Sequence, residues 1–234
     1  MGKNWEDILH LNNQLTEEEG TRTRQVRDRG RVFLNGLRQR CEANEAISVD
    51  TRQRYGQLLG TLEEQQQDVA LYVLGRRGES AAHTRRDLGR HVEMISRQVR
   101  RPILTVAGEF VEPRSALIAY DGKRMTRRCV ELIAQNPKLN DIPVHVIMSG
   151  KRATDADKHL QWAKDTLNTA GFTVETAYSP GDPEQEITRA IGERQADLLV
   201  MGAYSRSPLR SLILGSRTND LLRASQVPTV TIHL

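Results

Sequence analysis

With 234 residues, 38% of them apolar and 27% charged, the chain can bury a core and falls outside the disordered class. The net charge of +4 comes mostly from arginines interleaved with acids, and aromatics supply only 4% of the residues. No stacking platform and no nucleic-acid motif accompany that charge, so no nucleic-acid partner is expected.

The first ten residues, MGKNWEDILH, lack the apolar stretch of a signal peptide, and Glu6 stands where a myristoylation signal needs Ser or Thr. No apolar run approaches the length of a membrane span. A soluble, cytoplasmic protein without a membrane partner is the expectation. Residues 1–46 read as helix, with Trp5, Ile8, Leu9, Val26, Phe33, Leu34 and Leu37 as its apolar positions. Arg22, Arg24, Arg27, Arg29 and Arg31 in that segment fit a solvated helix face better than an anionic partner. Strand signals follow at 47–51, 69–74 and 102–106. Cys41 and Cys129 lie in helical patterns with no CxxC and no histidine at ligand spacing, which predicts a reducing compartment and no metal site.

From residue 115 onward strand and helix signals alternate. The run 115–120 is apolar and is broken by Asp121-Gly122; a helix follows over 125–134, then a strand over 142–148. The long helix 155–170 ends at Gly171, a common helix-stop residue. A strand over 172–177 leads to a helix over 183–194, with Asp182 as N-cap and Pro183 in its first turn. The apolar strand 196–201, a helix over 216–224 and a last strand over 227–234 complete the order. Strands that are apolar throughout and alternate with helices imply a parallel, doubly wound α/β sheet.

The two halves of the chain also resemble each other. Residues 47–51 (ISVDT) match 172–176 (FTVET), and 68–75 (DVALYVLG) match 195–202 (QADLLVMG). Residues 101–106 (RPILTV) match 227–232 (VPTVTI). The first half has no counterpart of 115–120 or 142–148. The expectation is a repeated α/β architecture with an incomplete first repeat, residues 1–114, and a complete second one, residues 115–234. The last strand should pair with 101–106 or with a second chain, the latter giving a homodimer through that strand.

The residues best suited to chemistry lie at 200–218, VMGAYSRSPLRSLILGSRT. A strand enters a loop at Gly202, and Gly215-Ser216 opens a helix. A helix N-terminus presents free backbone N–H groups and partial positive charge to a phosphate, and a serine hydroxyl adds a donor. As a plain alternative, the glycines serve turn and cap while Ser216 is an N-cap. Asp121 likewise has two readings, a cap for the helix after it or a ligand group. The six histidines are dispersed and none falls in a hydrolase pattern, so no catalytic residue is assigned.

This stretch resembles the phosphate loop of universal stress proteins, whose nucleotide-binding members carry Gly, two residues, Gly, nine residues, then Gly-Ser/Thr. Gly202, Gly215 and Ser216 match that pattern, and Ser205 replaces its middle glycine. The Cβ of Ser205 crowds the phosphates, whereas its hydroxyl can donate to one. The resemblance extends over 115–234, with Asp121-Gly122 at the place where the family's Asp lies near the adenosine. It implies an adenine nucleotide, ATP or AMP with magnesium, held by Asp121, Gly202, Ser205, Gly215 and Ser216. It further implies a non-enzymatic role in stress response, with two alternatives: a dimeric scaffold of the same family that takes no nucleotide, and a slow ATPase. In the first repeat, Gly75, Gly78 and Leu88-Gly89 resemble a degenerate loop with Arg90 at the hydroxyl position, which does not favour a second nucleotide.

Overall fold

The computed structural model describes residues 5–43, 47–76, 90–106, 108, 111–203, 221–222 and 225–233. It divides into two compact units, Met1–Leu58 and Leu59–Leu234. In the first unit, helix α1 runs over Trp5–Glu42. The Arg38 guanidinium donates to the Thr51 hydroxyl, and the Gln53 side chain lies against Gly30, where a Cβ would meet its amide at 2.3 Å.

The expected strand at 47–51 is not formed. Those residues have no ladder partner among the described residues, and Ile47 is half-exposed. A strand exists only where a neighbour takes up its N–H and C=O groups. The apolar alternation of ISVDT supplied a pattern without that neighbour.

The second unit is built on one seven-stranded sheet. Its elements are α2 (Leu58–Gln65), β1 (Tyr72–Gly75), α3 (Arg90–Gln98), β2 (Ile103–Val106), β3 (Ala116–Tyr120), α4 (Arg124–Ala134), β4 (Val144–Ser149), α5 (Ala156–Thr169), β5 (Val174–Ser179), α6 (Pro183–Glu193), β6 (Leu198–Gly202) and β7 (Thr229–Ile232), with a single 3-10 turn at Pro137–Leu139. The sheet order is β1-β2-β7-β6-β3-β4-β5. Strands β3 to β7 are mutually parallel, and β1 is parallel to β2. The two sets meet at an antiparallel joint, with Ile103 opposite Thr231 and Leu104 opposite Val230.

That joint realises the intrachain alternative for the last strand. β7 lies between β2 and β6, so both of its edges are occupied within one chain. The expected homodimer through the last strand is corrected accordingly: no edge of β7 is open to a second copy. Strands β1 and β2 lie in the same sheet as the strands of residues 115–234.

Helices α4 and α5 cover one face of the sheet. There Ile118, Tyr120, Val146 and Val200 pack with Val130, Ile133, Leu160 and Leu167. On the opposite face Leu117, Ile147, Leu199 and Met201 pack with Ile187 and Ala190 of α6 and with Leu221. Tyr72 and Ile103 pack with Ile95 and Val99 beside α3. Burying each large aliphatic side chain contributes about 1.5–3 kcal/mol, so central strands buried on both faces hold the sheet. Helix α6 starts as its sequence requires: the Asp182 Oδ1 accepts from the backbone N–H of Glu184 at 3.0 Å and of Gln185 at 3.4 Å. Among the described residues no helix is long and apolar enough to cross a membrane.

Candidate functional site

Chain connections leave β3 in one direction toward β4 and β5, and leave β6 in the other toward β7. The order of the parallel strands therefore reverses between β3 and β6. In open α/β sheets the crevice at the carboxyl ends of the strands at such a reversal is where ligands bind. The carboxyl end of β3 carries Asp121-Gly122, and β6 ends at Gly202. Two residues singled out by motif, 81 positions apart in sequence, thus lie at the ends of adjacent strands. Ser205, Gly215 and Ser216 lie outside the described residues, as does most of the expected helix 216–224.

Asp121 is not the N-cap of α4; Lys123 is, and its side chain makes no capping bond. The Asp121 carboxylate instead organises the turn. Its Oδ1 accepts from the Lys123 backbone N–H at 3.0 Å and from the Thr126 hydroxyl at 2.7 Å. Its Oδ2 stands 3.5 Å from the exposed Lys123 ammonium. One carboxylate oxygen is thereby committed to the fold and the other faces outward with an exposed cation. The side chain is 45% exposed, so a hydroxyl-bearing ligand can reach it.

Gly202 meets a constraint from the helix side. A Cβ there would lie 2.6 Å from Met125 Cγ and 3.5 Å from Thr126 Cγ2. The glycine lets the first turn of α4 approach β6, which brings Thr126 and Asp121 close to the strand end. Gly122 has a positive φ of 74°, and a Cβ would lie 2.7 Å from His159 Cδ2.

Sequence reasoning missed the residues that hold this turn in place. Arg127 Nε donates to the Gly122 carbonyl at 3.1 Å, and its Nη2 lies 2.8 Å from His159 Nδ1. The guanidinium sits over the Trp162 ring at 4.8 Å. The other nitrogen of His159 lies 2.8 Å from the Asp155 carboxylate. Because arginine only donates, His159 accepts at Nδ1 and donates from Nε2 to Asp155. Asp155 and His159 are one helical turn apart, a spacing visible in sequence; their link to Arg127 spans 32 residues and was not.

Burial shapes the chemistry beneath the turn. It pushes the Tyr120 phenol up to about 12, partly opposed by the Arg127 charge. It pushes the Cys129 thiol up to about 12 as well, with the Asp121 charge adding to the effect. At the carboxyl end of β5, the Ser179 hydroxyl and then Arg189 hold the Glu186 carboxyl below its ordinary range. Ser179 donates to Glu186 while accepting from Arg189 Nη2 at 2.8 Å. An open cleft of about 640 Å³ lies along α4, lined by Gly122, Arg124, Arg127, Arg128 and Glu131.

Comparison with known proteins agrees with this architecture. The family model described as the universal stress protein family matches residues 113–233. The chain is 31% identical over 222 residues to universal stress protein Slr1230 of Synechocystis, covering 94% of this chain and 77% of that protein. A solved universal stress protein from Archaeoglobus fulgidus superposes with a TM-score of 0.71 at 18% identity, over 88% of this chain and 76% of that one. A putative universal stress protein from Pseudomonas aeruginosa does so with a TM-score of 0.63, also at 18% identity, over 86% and 77%. With a family model matching half of its length and a relative at this identity, the chain belongs to the universal stress protein family.

Proposed function

We propose that the chain binds an adenine nucleotide, ATP or AMP with magnesium, at the strand-order reversal between β3 and β6, and that it acts in stress response as a nucleotide-responsive cytoplasmic protein without catalytic turnover. The observation that carries this reading is the meeting of Asp121 and Gly202 at adjacent strand ends in the crevice. The outward oxygen of Asp121 suits a ribose hydroxyl, and Gly202 leads into the loop whose glycine and serine pattern suits phosphates. Magnesium would neutralise the phosphates; the reading assigns it no protein ligand.

Calorimetric titration with ATP and magnesium tests the reading directly, alongside a search for adenine nucleotide released from the denatured purified protein. Binding is expected, and it should weaken in Asp121→Ala and in Gly215→Val. Absence of both heat at millimolar nucleotide and released nucleotide would overturn the proposal. Ser205→Gly decides the role of the substituted loop position: tighter binding means that the Ser205 Cβ obstructs, and weaker binding means that its hydroxyl is a ligand. A scaffold that takes no nucleotide would follow if only Ser205→Gly binds.

A further inference from the structure

The cleft along α4 has a chemistry that the nucleotide reading does not use. Arg124, Arg127, Arg128 and Glu131 recur at intervals of three and four residues, so they share one face of the helix. Thr126, Cys129, Val130 and Ile133 occupy the opposite, buried face. Three guanidinium groups therefore crowd the first five residues of an 11-residue helix that has no acid in its first turn. The helix macrodipole places partial positive charge at that end, so cations there are unfavourable and an anion is favourable.

The arginines differ in how they are held. Arg127 is fixed by the Gly122 carbonyl, by His159 and by the Trp162 ring. Two of its nitrogens are committed, and a guanidinium has further N–H donors to offer. Arg124 is exposed and makes no ion pair or side-chain hydrogen bond among the described residues. Among the described residues Arg128 is engaged only by Glu131 at 3.3 Å, a solvent-exposed pair of the kind that contributes little and releases readily. Glu131 is the one acid in the lining, so the cleft keeps an excess of positive charge.

From these features we infer that the α4 cleft is a second binding site, specific for a phosphate-bearing small molecule, that borders the crevice between β3 and β6 at Gly122 and is otherwise built from the arginine face of α4. Arginine forks match phosphate oxygens in pairs, and a guanidinium already immobilised loses little freedom on binding. A volume of about 640 Å³ falls in the range of small-molecule sites and exceeds what a bare phosphate fills. Since Arg127 also holds the Gly122 carbonyl, occupancy of the cleft would stiffen the turn that carries Asp121.

Titration of the full chain with pyrophosphate tests the inference, using the wild type, Arg124→Gln, Arg124→Gln/Arg128→Gln and Gly215→Val. The wild type and Gly215→Val should bind alike, while the double variant binds about tenfold more weakly or worse, as expected on losing two charge-assisted contacts. Arg124→Gln, which removes an exposed and unpaired side chain, should show an intermediate loss without any change in thermal melting. No binding by the wild type at millimolar pyrophosphate would overturn the inference. So would loss of binding in Gly215→Val with retention in the arginine variants, because the anion would then occupy the nucleotide loop. Binding of polyglutamate to this face in place of pyrophosphate would also overturn it, assigning the arginines to an acidic protein partner. Failure of ATP binding leaves these outcomes readable, since none depends on the nucleotide site.

Discussion

Replacing Gly122 by alanine tests the turn at its most constrained point. Two costs add. A non-glycine residue in the left-handed region pays about 1–2 kcal/mol, and Gly122 sits there with φ of 74°. The new Cβ would also lie 2.7 Å from His159 Cδ2 and 2.8 Å from Cγ. A free surface ring would step aside, but this one is held at 2.8 Å on each side by Arg127 and Asp155. Forcing an extra methyl against such a neighbour costs about 1–3 kcal/mol. The expected loss is therefore about 3 kcal/mol, within the range of these two contributions. For a chain of this length that corresponds to a fall of about 6–12 °C in melting temperature.

Urea unfolding of the wild type, Gly122→Ala, His159→Ala and the double variant measures both parts. In the His159→Ala background the ring clash is gone and only the Cβ of residue 159, at 3.1 Å, still presses on the new methyl, so the loss should fall toward the backbone strain of about 1–2 kcal/mol. A loss below about 1 kcal/mol in Gly122→Ala would refute the account of the turn. An equal loss with and without the His159 ring would show that the ring is not the obstacle.

Other consequences follow from the same contacts. Asp182→Ala, which leaves the N–H groups of Glu184 and Gln185 unsatisfied, should destabilise the chain by about 1 kcal/mol in urea unfolding, and no change would deny the cap its role. Alkali should unfold the protein: the native Cys129 thiol and Tyr120 phenol hold their protons to about 12, against 9.0 and 10.0 for the free groups. Between those limits the unfolded chain binds fewer protons than the native one, so stability falls as pH rises; a denaturation midpoint unchanged from pH 8 to about 10.5 would contradict this. The exposed Cys41 should react with a thiol reagent in the native state while the buried Cys129 waits for unfolding. In hydrogen exchange, amides of Tyr72–Gly75 should exchange before those of Leu198–Gly202, because β1 ends the sheet and Val73 is 60% exposed; the reverse order would mean that β1 is the better protected strand.

What was legible in the sequence is what local chemistry decides. The apolar runs of β3 and β6, the Asp182-Pro183 start of α6 and the Asp121-Gly122 break could be read because each depends on near neighbours. Strands β4 and β5 begin two residues later than their apolar runs suggest: Phe172 is buried in the core but precedes the ladder that starts at Val174. Residues 47–51 carried a strand pattern that only a distant partner could have made real. The site divides in the same way. Asp121 and Gly202 could be found by motif, whereas the holding of Gly122 by Arg127 and His159, and of Gly202 by Met125, depends on contacts across 32 and 77 positions that no local pattern encodes.

The antiparallel joint explains what strands β1 and β2 do for the sheet. A parallel sheet ending at β7 would expose a row of backbone N–H and C=O groups beside its most buried strands. β2 covers that row, and hydroxyls fix the join from both sides. Thr105 Oγ1 donates to the Thr229 carbonyl at 3.1 Å, and Thr231 Oγ1 donates to the Ile103 carbonyl at 3.4 Å. All three threonine side chains that cross or flank the joint, Thr105, Thr229 and Thr231, are buried, so their polar atoms need these partners. β1 then takes the edge position in place of β7, as a strand of four residues with one neighbour. The Arg76 guanidinium, buried just beyond β1, donates to the Ser225 carbonyl ahead of β7 and ties the new edge back to the joint. Strands β1 and β2 thus protect the strand that borders β6, and with it the crevice where Asp121 and Gly202 meet.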